Sequence, residues 1–272
     1  MQENQTRIGF IGGGNMAQAI IRGLLEAGHM PERLLVSDPS EKQRNALRQL
    51  SNKIQIGDDN ADLAITCDVL VLAVKPQILA DVARALPSDD RPANQLIISI
   101  AAGITVSALR GWLGPGPRLV RVMPNTPALI GAGMSGLYAD DIDSIGSGLA
   151  EYIMAAAGEI LWVQEEALID AVTAVSGSGP AYFFLLMEIM QDVAVELGLD
   201  ENQAQLLATK TAAGAGLLAL QSEESAATLR ARVTSPGGTT AAALQKLEDG
   251  GIRDIVRAAM VAARDRAVEL GS

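Results

Sequence analysis

The chain has 272 residues, 49% of them apolar and 3% aromatic, and a formal net charge of −11, enough apolar sequence for one large or two ordinary globular domains. An acidic surface with few rings argues against nucleic-acid binding, which needs positive charge and stacking platforms. The single Cys67 excludes an intrachain disulfide and, with the lone His29, most thiolate and imidazole metal sites, so no metal is expected.

The polar start, Met1–Arg7, and the breaking of every later apolar stretch by Gly, Pro or charge predict neither a signal peptide nor a membrane span, and the expected compartment is the cytoplasm. Short β-branched runs then alternate with helical stretches: strand Ile8–Ile11 and helix Met16–Ala27; strand Leu34–Ser37 and helix Glu41–Leu50; then strands Val69–Val74, Leu96–Ile100 and Leu119–Val122. This alternation predicts β-α-β units around a mainly parallel sheet buried on both faces. Two further runs, Met134–Tyr138 and Glu159–Val163, flank a helix over about 141–157 and extend the sheet.

Beyond Glu165 the β-branched runs give way to Ala- and Leu-rich helical spacing over 181–197, 201–220 and 252–270. The expected fold class is therefore α/β, with an N-terminal dinucleotide-binding Rossmann domain over 1–165 and an all-α domain over 166–272. Leu206, Leu207, Lys210, Ala213, Gly214 and Leu217 share one helical stripe, which allows close helix packing and suits a second subunit.

Directly after the first strand, Gly12-Gly13-Gly14-Asn15-Met16-Ala17 forms a G-x-G-x-x-A pattern opening a helix. Gly12 serves a tight turn, Gly14 admits a pyrophosphate, and Ala17 lets helix and strand pack, while the helix start presents N–H groups to phosphate. Ser37-Asp38, after the second strand, lies where an adenosine ribose sits; Asp38 either accepts from the ribose hydroxyls or caps the next helix. Ser40, Lys42 and Arg44 are equally placed to favour a 2′-phosphate, so both NADPH and NADH are candidates.

Ala73-Val74-Lys75-Pro76 ends a third strand at the ligand edge; Lys75 either faces the cofactor or is a solvated residue before a helix that Pro76 opens. Ala101-Ala102-Gly103 leaves room for a nicotinamide ring. Asn125, between Pro124 and Pro127, offers an amide to a polar ring substituent.

In the helical half, Ser176-Gly177-Ser178-Gly179-Pro180-Ala181-Tyr182 leads into a helix that Ser178 or Gly179 caps, or faces a site. Thr234-Ser235-Pro236-Gly237-Gly238-Thr239-Thr240 opens another helix. The successive N–H groups of Gly237, Gly238, Thr239 and Thr240 there make a nest for a carboxylate.

Taken together, the segments G-F-I-G-G-G-N-M-A, A-V-K-P, S-I-A-A-G, R-V-M-P-N-T-P, S-G-S-G-P-A-Y and T-S-P-G-G-T-T, in this order over nearly the whole chain, resemble pyrroline-5-carboxylate reductases. The resemblance implies reduction of 1-pyrroline-5-carboxylate to L-proline by hydride from NADPH or NADH, the final step of proline biosynthesis. It also implies that Thr240 bonds the ring nitrogen as the catalytic hydroxyl, orienting the iminium or relaying a proton, and that Gly238 and Thr239 lie at the substrate carboxylate. Glu166 matches a position near the substrate, alongside Ser178, Ser235 and Gly237. Members of the family pair through their helical domains, and larger rings of dimers are common among them.

Two other classes compete. A hydroxy-acid dehydrogenase would want a lysine or histidine acid-base in the helical half, which has no histidine and whose lysines, Lys210 and Lys246, lie outside the glycine-rich motifs. A dinucleotide-sensing regulator would need no carboxylate nest. His29 reads as a loop histidine and Cys67 as a small buried hydrophobe, both dispensable for turnover.

Overall fold

The computed structural model describes residues 3–271. They fall into two compact units, 1–178 with 263–272, and 179–262. The first unit is built on eight strands: β1 (Ile8–Ile11), β2 (Leu34–Ser37), β3 (Gln55–Gly57), β4 (Val69–Leu72), β5 (Leu96–Ser99), β6 (Arg118–Met123), β7 (Gly133–Tyr138) and β8 (Gly158–Trp162). Their order across the sheet is 3-2-1-4-5-6-7-8. The first six strands run parallel, with Phe10 opposite both Val36 and Val71, whereas β7 turns back against β6 and then pairs parallel with β8. The mainly parallel α/β expectation therefore holds.

Period-two alternation in the central strands explains why helices cover both faces. Ile8, Phe10, Leu34, Val36, Val69, Val71, Leu96 and Ile98 face one core, under α1 (Asn15–Glu26), α2 (Glu41–Leu50) and α6 (Ser144–Ala155). Ile11, Leu35, Leu70, Leu72 and Ile97 face the other, under α3 (Asn60–Thr66), α4 (Pro76–Ala85) and α5 (Val106–Leu113). Each fully buried Leu or Ile here contributes about 1.5–3 kcal/mol. The strand β3 and the helix α3 escape pattern reading. A three-residue edge strand of alternating exposure and a seven-residue helix carry too little apolar periodicity.

Cys67 is fully buried against Gly9, and burial pushes its thiol up to about 12, so it is an unreactive core residue as expected. His29 is in a loop but is also buried, with Nδ1 3.1 Å from the Tyr152 hydroxyl. Burial lowers its pKa below 6.5, outweighing the Thr6 backbone, which raises it. The unfolded chain therefore binds more protons just below pH 6.5. The stability that neutral His29 brings is complete above that value and lost as pH falls through the lowered folded value. Thermal melts should show the wild type losing Tm as pH falls below 6.5, with a shallower loss in His29→Gln. Equal slopes in the two proteins would count against this.

In the second part of the chain, α7 (Leu168–Val172) runs through a π-helical turn, Thr173–Gly177, into α8 (Gly179–Glu196). The expected loop and cap at Ser178 are therefore replaced by continuous helix, with the Ser178 N–H donating to Thr173 O at 2.8 Å. Pro180 lacks an N–H and its ring crowds the carbonyl one turn back, and the widened turn relieves both. The second unit continues with α9 (Glu201–Gln221), α10 (Ala226–Arg232), α11 (Thr239–Asp249) and the first part of α12 (Ile252–Gly271). It has little core of its own. On α9 only Ala204 and Ala208 are buried, while Leu206, Leu207 and Leu217 of the expected stripe are exposed, as are Phe183, Phe184, Leu185 and Leu186 of α8.

Candidate active site

In a parallel sheet the carboxyl ends of the strands gather at one edge, and the reversal of strand order between β1 and β4 opens a crevice there. The segments after β1, β2, β4, β5 and β6 carry Gly12–Met16, Ser37–Asp38, Ala73–Pro76, Ala101–Gly103 and Asn125, so the first unit brings all the predicted dinucleotide residues to that edge.

Gly12 has φ +99°, and a Cβ on it would lie 2.7 Å from Ala73 O, so the turn into α1 admits only glycine. A Cβ on Gly14 would meet nothing within 4 Å, which leaves open space over the helix start. The loop is braced from two sides. Asp38 Oδ2 accepts the Gly13 N–H at 2.7 Å, and Gln18 Nε2 donates to Gly13 O at 2.7 Å. Asp38 Oδ1 also accepts the Ser40 N–H at 2.7 Å ahead of α2, and the Arg44 guanidinium donates to Asp38 O. The carboxylate thus serves the glycine loop and the next helix together.

Lys75 is exposed and precedes α4, which Pro76 opens. The small residues after β5 have a packing cause: Ala101 is in the core, and a Cβ on Gly103 would lie 2.8 Å from Cβ of Leu270 in the last turn of α12. The direction a side chain on Gly103 would take is thus occupied by the chain's own last helix. Asn125 is nearly buried; its Oδ1 accepts the Met134 N–H at 2.9 Å and its Nδ2 donates to Ser176 Oγ at 3.0 Å. A Cβ on Gly177 would lie 2.4 Å from Met123 Cε, so the π-helical turn is seated tightly on the end of β6.

Arg121 of β6 is 3% exposed and bonds two carboxylates, Glu166 Oε1 at 3.2 Å and Asp170 Oδ1 at 2.8 Å. Glu166 Oε1 also accepts the N–H of Val106, the first residue of α5, at 2.7 Å. Glu166 is therefore bonded into the sheet rather than solvated at a helix start. The geometry predicts that Glu166→Gln keeps an acceptor for Val106 but loses the charge on Arg121, lowering stability by about 1–2 kcal/mol in urea titration. An unchanged midpoint would show the contact to be idle.

In the second unit, the Gly238 N–H donates to Ser235 O at 3.0 Å, closing a four-residue turn with Pro236 second and Gly237 third at φ +73°, where glycine is favoured. One of the four expected nest donors is thus committed inside the turn. Thr234 Oγ1 donates back to Arg230 O at 2.6 Å. The N–H groups of Thr239, Thr240 and Ala241 form the first turn of α11 and have no acceptor within the helix.

The helix starts separate into two kinds. In α3, α5, α6, α9 and α10 a side chain caps the N-terminus, from Asp59, Thr105, Asp143, Asp200 and Ser225. No side chain caps α1, α2, α4, α7 or α11; of these, α1 and α11 begin at Gly14 and Gly238, which have no side chain to offer. Uncapped helix starts behind open glycine turns are what phosphate and carboxylate groups occupy.

Residues 166–270 match the family model for pyrroline-5-carboxylate reductase dimerisation, and residues 7–103 match that for NADP oxidoreductase coenzyme F420-dependent. Pyrroline-5-carboxylate reductase of Pseudomonas aeruginosa is 46% identical over 265 residues, covering 97% of this chain and 96% of that protein. This chain belongs to the pyrroline-5-carboxylate reductase family. The solved family structure from Coxiella burnetii is 42% identical with a TM-score of 0.92, covering 98% of this chain and 99% of that one. That of Plasmodium falciparum, solved with NADP bound, is 30% identical with a TM-score of 0.86, covering 99% of each.

The pyrroline-5-carboxylate reductase motifs pointed to the ligand-facing turns but not to the groups holding them. Arg121 opens the R-V-M-P-N-T-P segment and Asp170 lies outside every motif; the two meet across 49 residues, while Gln18, five residues from the Gly13 carbonyl it bonds, carries no motif signal. A buried arginine in a β-branched strand, Arg121 between Val120 and Val122, was the one available signal, since such a charge needs partners.

Proposed function

We propose that this chain performs its family's reaction, the reduction of 1-pyrroline-5-carboxylate to L-proline that completes proline biosynthesis, with its two uncapped glycine helix starts as the anion sites. The observation carrying the assignment of roles is that α1 and α11, unlike the other uncapped helices α2, α4 and α7, have a glycine as the N-cap residue. Gly12, Gly13, Gly14, Asn15 and Met16 would hold the pyrophosphate of NADPH or NADH. The open space over Gly14 and the free N–H groups of the first turn of α1 fit it. Ser37 and Asp38 lie toward the adenosine, Ala73–Pro76, Ala101–Gly103 and Asn125 toward the rest of the cofactor. When bound, the cofactor supplies the hydride.

The substrate is a cyclic imine with a carboxylate. Ser235, Gly237 and the helix-start N–H groups at Thr239 and Thr240 hold the carboxylate, with the α11 dipole behind them; Gly238, its N–H committed to Ser235 O, lies beside it without a side chain in the way. The Thr240 hydroxyl bonds the ring nitrogen. Hydride attack on a C=N carbon is faster when nitrogen is protonated, and a threonine hydroxyl is a weak acid, so Thr240 orients the iminium and relays a solvent proton. Ser178 completes the polar contacts, and Glu166 acts as an anion favouring the iminium while bracing the fold. On this reading 1–165 serve the cofactor, and 166–272 serve the substrate and the dimer.

The apolar residues left exposed on α8 and α9 support pairing with a second copy through the helical half, in line with the dimerisation model matched there; rings of dimers extend the same reading. The run 168–196 is also long and apolar enough to cross a membrane by length and composition. A second copy covering this face accounts for the apolarity, and a cytoplasmic location without membrane or nucleic-acid partners goes with it. Sedimentation should give a dimer or a multiple of it, and a stable active monomer would sink the pairing. The primary experiment measures oxidation of NADPH and NADH at saturating 1-pyrroline-5-carboxylate; the two curves show what Asp38 selects, and no turnover with either would overturn the reading.

A further inference from the structure

NADPH differs from NADH by a phosphate on the 2′ oxygen of the adenosine ribose, and in a Rossmann domain that ribose lies at the carboxyl end of β2. The segment that follows β2 here holds a carboxylate suited to a ribose diol, and hydroxyls and cations suited to a phosphate. Their placement in the fold separates the two.

Asp38 is 9% exposed and held at two points, with Oδ2 accepting the Gly13 N–H and Oδ1 the Ser40 N–H, each at 2.7 Å. Among the described residues no lysine or arginine pairs with its carboxylate. A negative charge is thereby fixed against the glycine turn without a cation to balance it. Each oxygen also keeps a second lone pair for a hydroxyl donor.

The groups suited to a phosphate are placed less well. Ser37 Oγ has essentially no accessible surface, so it reaches no ligand. Arg44 Nη1 donates to the Asp38 and Pro39 carbonyls at 2.7 and 3.0 Å, which draws the guanidinium back onto the turn. The uncapped start of α2 has Glu41 as its first residue, a carboxylate that itself answers the helix dipole, next to the exposed Lys42. On the other side β3 ends beside β2, with the Asp38 N–H donating to Gly57 O at 3.1 Å, and Asp58 and Asp59 follow directly. Acid outweighs base around this end of the crevice.

A 2′-phosphate carries a charge of about −1.5 to −2 at pH 7 and takes away the hydroxyl that donates to a carboxylate. A fixed charge in a nearly buried position is screened little by salt, so it repels that phosphate while it accepts from a free ribose hydroxyl. We propose, resting on the cofactor reading above, that this chain selects NADH against NADPH and that Asp38 is the residue that determines the choice.

The test titrates NADH and NADPH separately into the full-length protein, wild type and Asp38→Asn, with binding read from the fluorescence of the reduced nicotinamide. Asparagine keeps an oxygen for a backbone N–H and removes the charge. The expected result is that the wild type binds NADH about 10-fold or more tighter than NADPH, and that the ratio of the two Kd values drops toward unity in Asp38→Asn, with NADPH bound more tightly than by the wild type. Both dinucleotides meet the same variant, so a loosened glycine turn weakens both and leaves their ratio in place; only a role at the 2′ position moves it. Equal or tighter NADPH binding by the wild type, or an unchanged ratio in Asp38→Asn, overturns the selectivity alone. Binding of neither dinucleotide by the folded wild type overturns the cofactor reading and the selectivity with it.

Discussion

Thr240→Val lowers kcat by about 100-fold or more, with the KM for NADPH or NADH unchanged. The substitution keeps the shape of the side chain and removes only the hydroxyl. Thr240 is the second residue of α11, half-buried, in the helix whose start is the proposed carboxylate site. In the proposed role, losing the hydroxyl leaves the imine nitrogen without its partner while the backbone donors at the α11 start stay in place, so the loss falls on the chemical step rather than on substrate capture. Thr240→Ser restores the group and should recover most of the rate. A Thr240→Val enzyme with near wild-type kcat in steady-state assays would remove this residue from the mechanism.

Gly23→Ala and Gly14→Ala should part company completely, although both add one methyl to α1 or its cap. A Cβ on Gly23 would lie 1.8 Å from the carbonyl oxygen of Ala156, a backbone atom after α6 that cannot swing away. Helix α1 has to move away from the end of α6 to accommodate it, at a cost of about 4 kcal/mol or more, which should appear as a large drop in Tm or as insoluble protein. At Gly14 the same methyl meets nothing within 4 Å, and φ −68° with ψ −177° is extended backbone open to alanine. Its Tm should match the wild type, yet the methyl occupies the space proposed for the pyrophosphate and should weaken dinucleotide binding by about 10-fold or more. Fluorescence titration of NADPH against the melt separates the two effects. A Gly14→Ala protein of undiminished cofactor affinity would refute the phosphate role of the α1 start.

The sequence located the dinucleotide edge well, because its signals are local. A strand, three glycines and a helix within a dozen residues announce a turn that must pass close to a neighbour, and Gly12 against Ala73 O bears that out. It read the roles of individual side chains less well. Asp38 was poised between ribose and helix cap, and in the fold one oxygen bonds Ser40 N–H while the other holds the Gly13 N–H. Gly103 looked like space for a ring and is packed against Leu270, some 170 residues later in the chain. Ser178 looked like a cap and lies in a continuous helix, since the effect of Pro180 was absorbed by a π-helical turn rather than by a break.

By itself the sequence determined the mainly parallel sheet, the helical half, the glycine turn after β1 and the family. These follow from periodicity, turn chemistry and motifs that act over a few residues. Only the tertiary structure decided that Arg121 joins Glu166 and Asp170, that Asn125 joins Ser176, and that the stripe of α9 is exposed while Ala204 and Ala208 are buried. A hydrogen bond, an ion pair or a cavity exists only where segments distant in the chain meet, and no local pattern encodes that meeting.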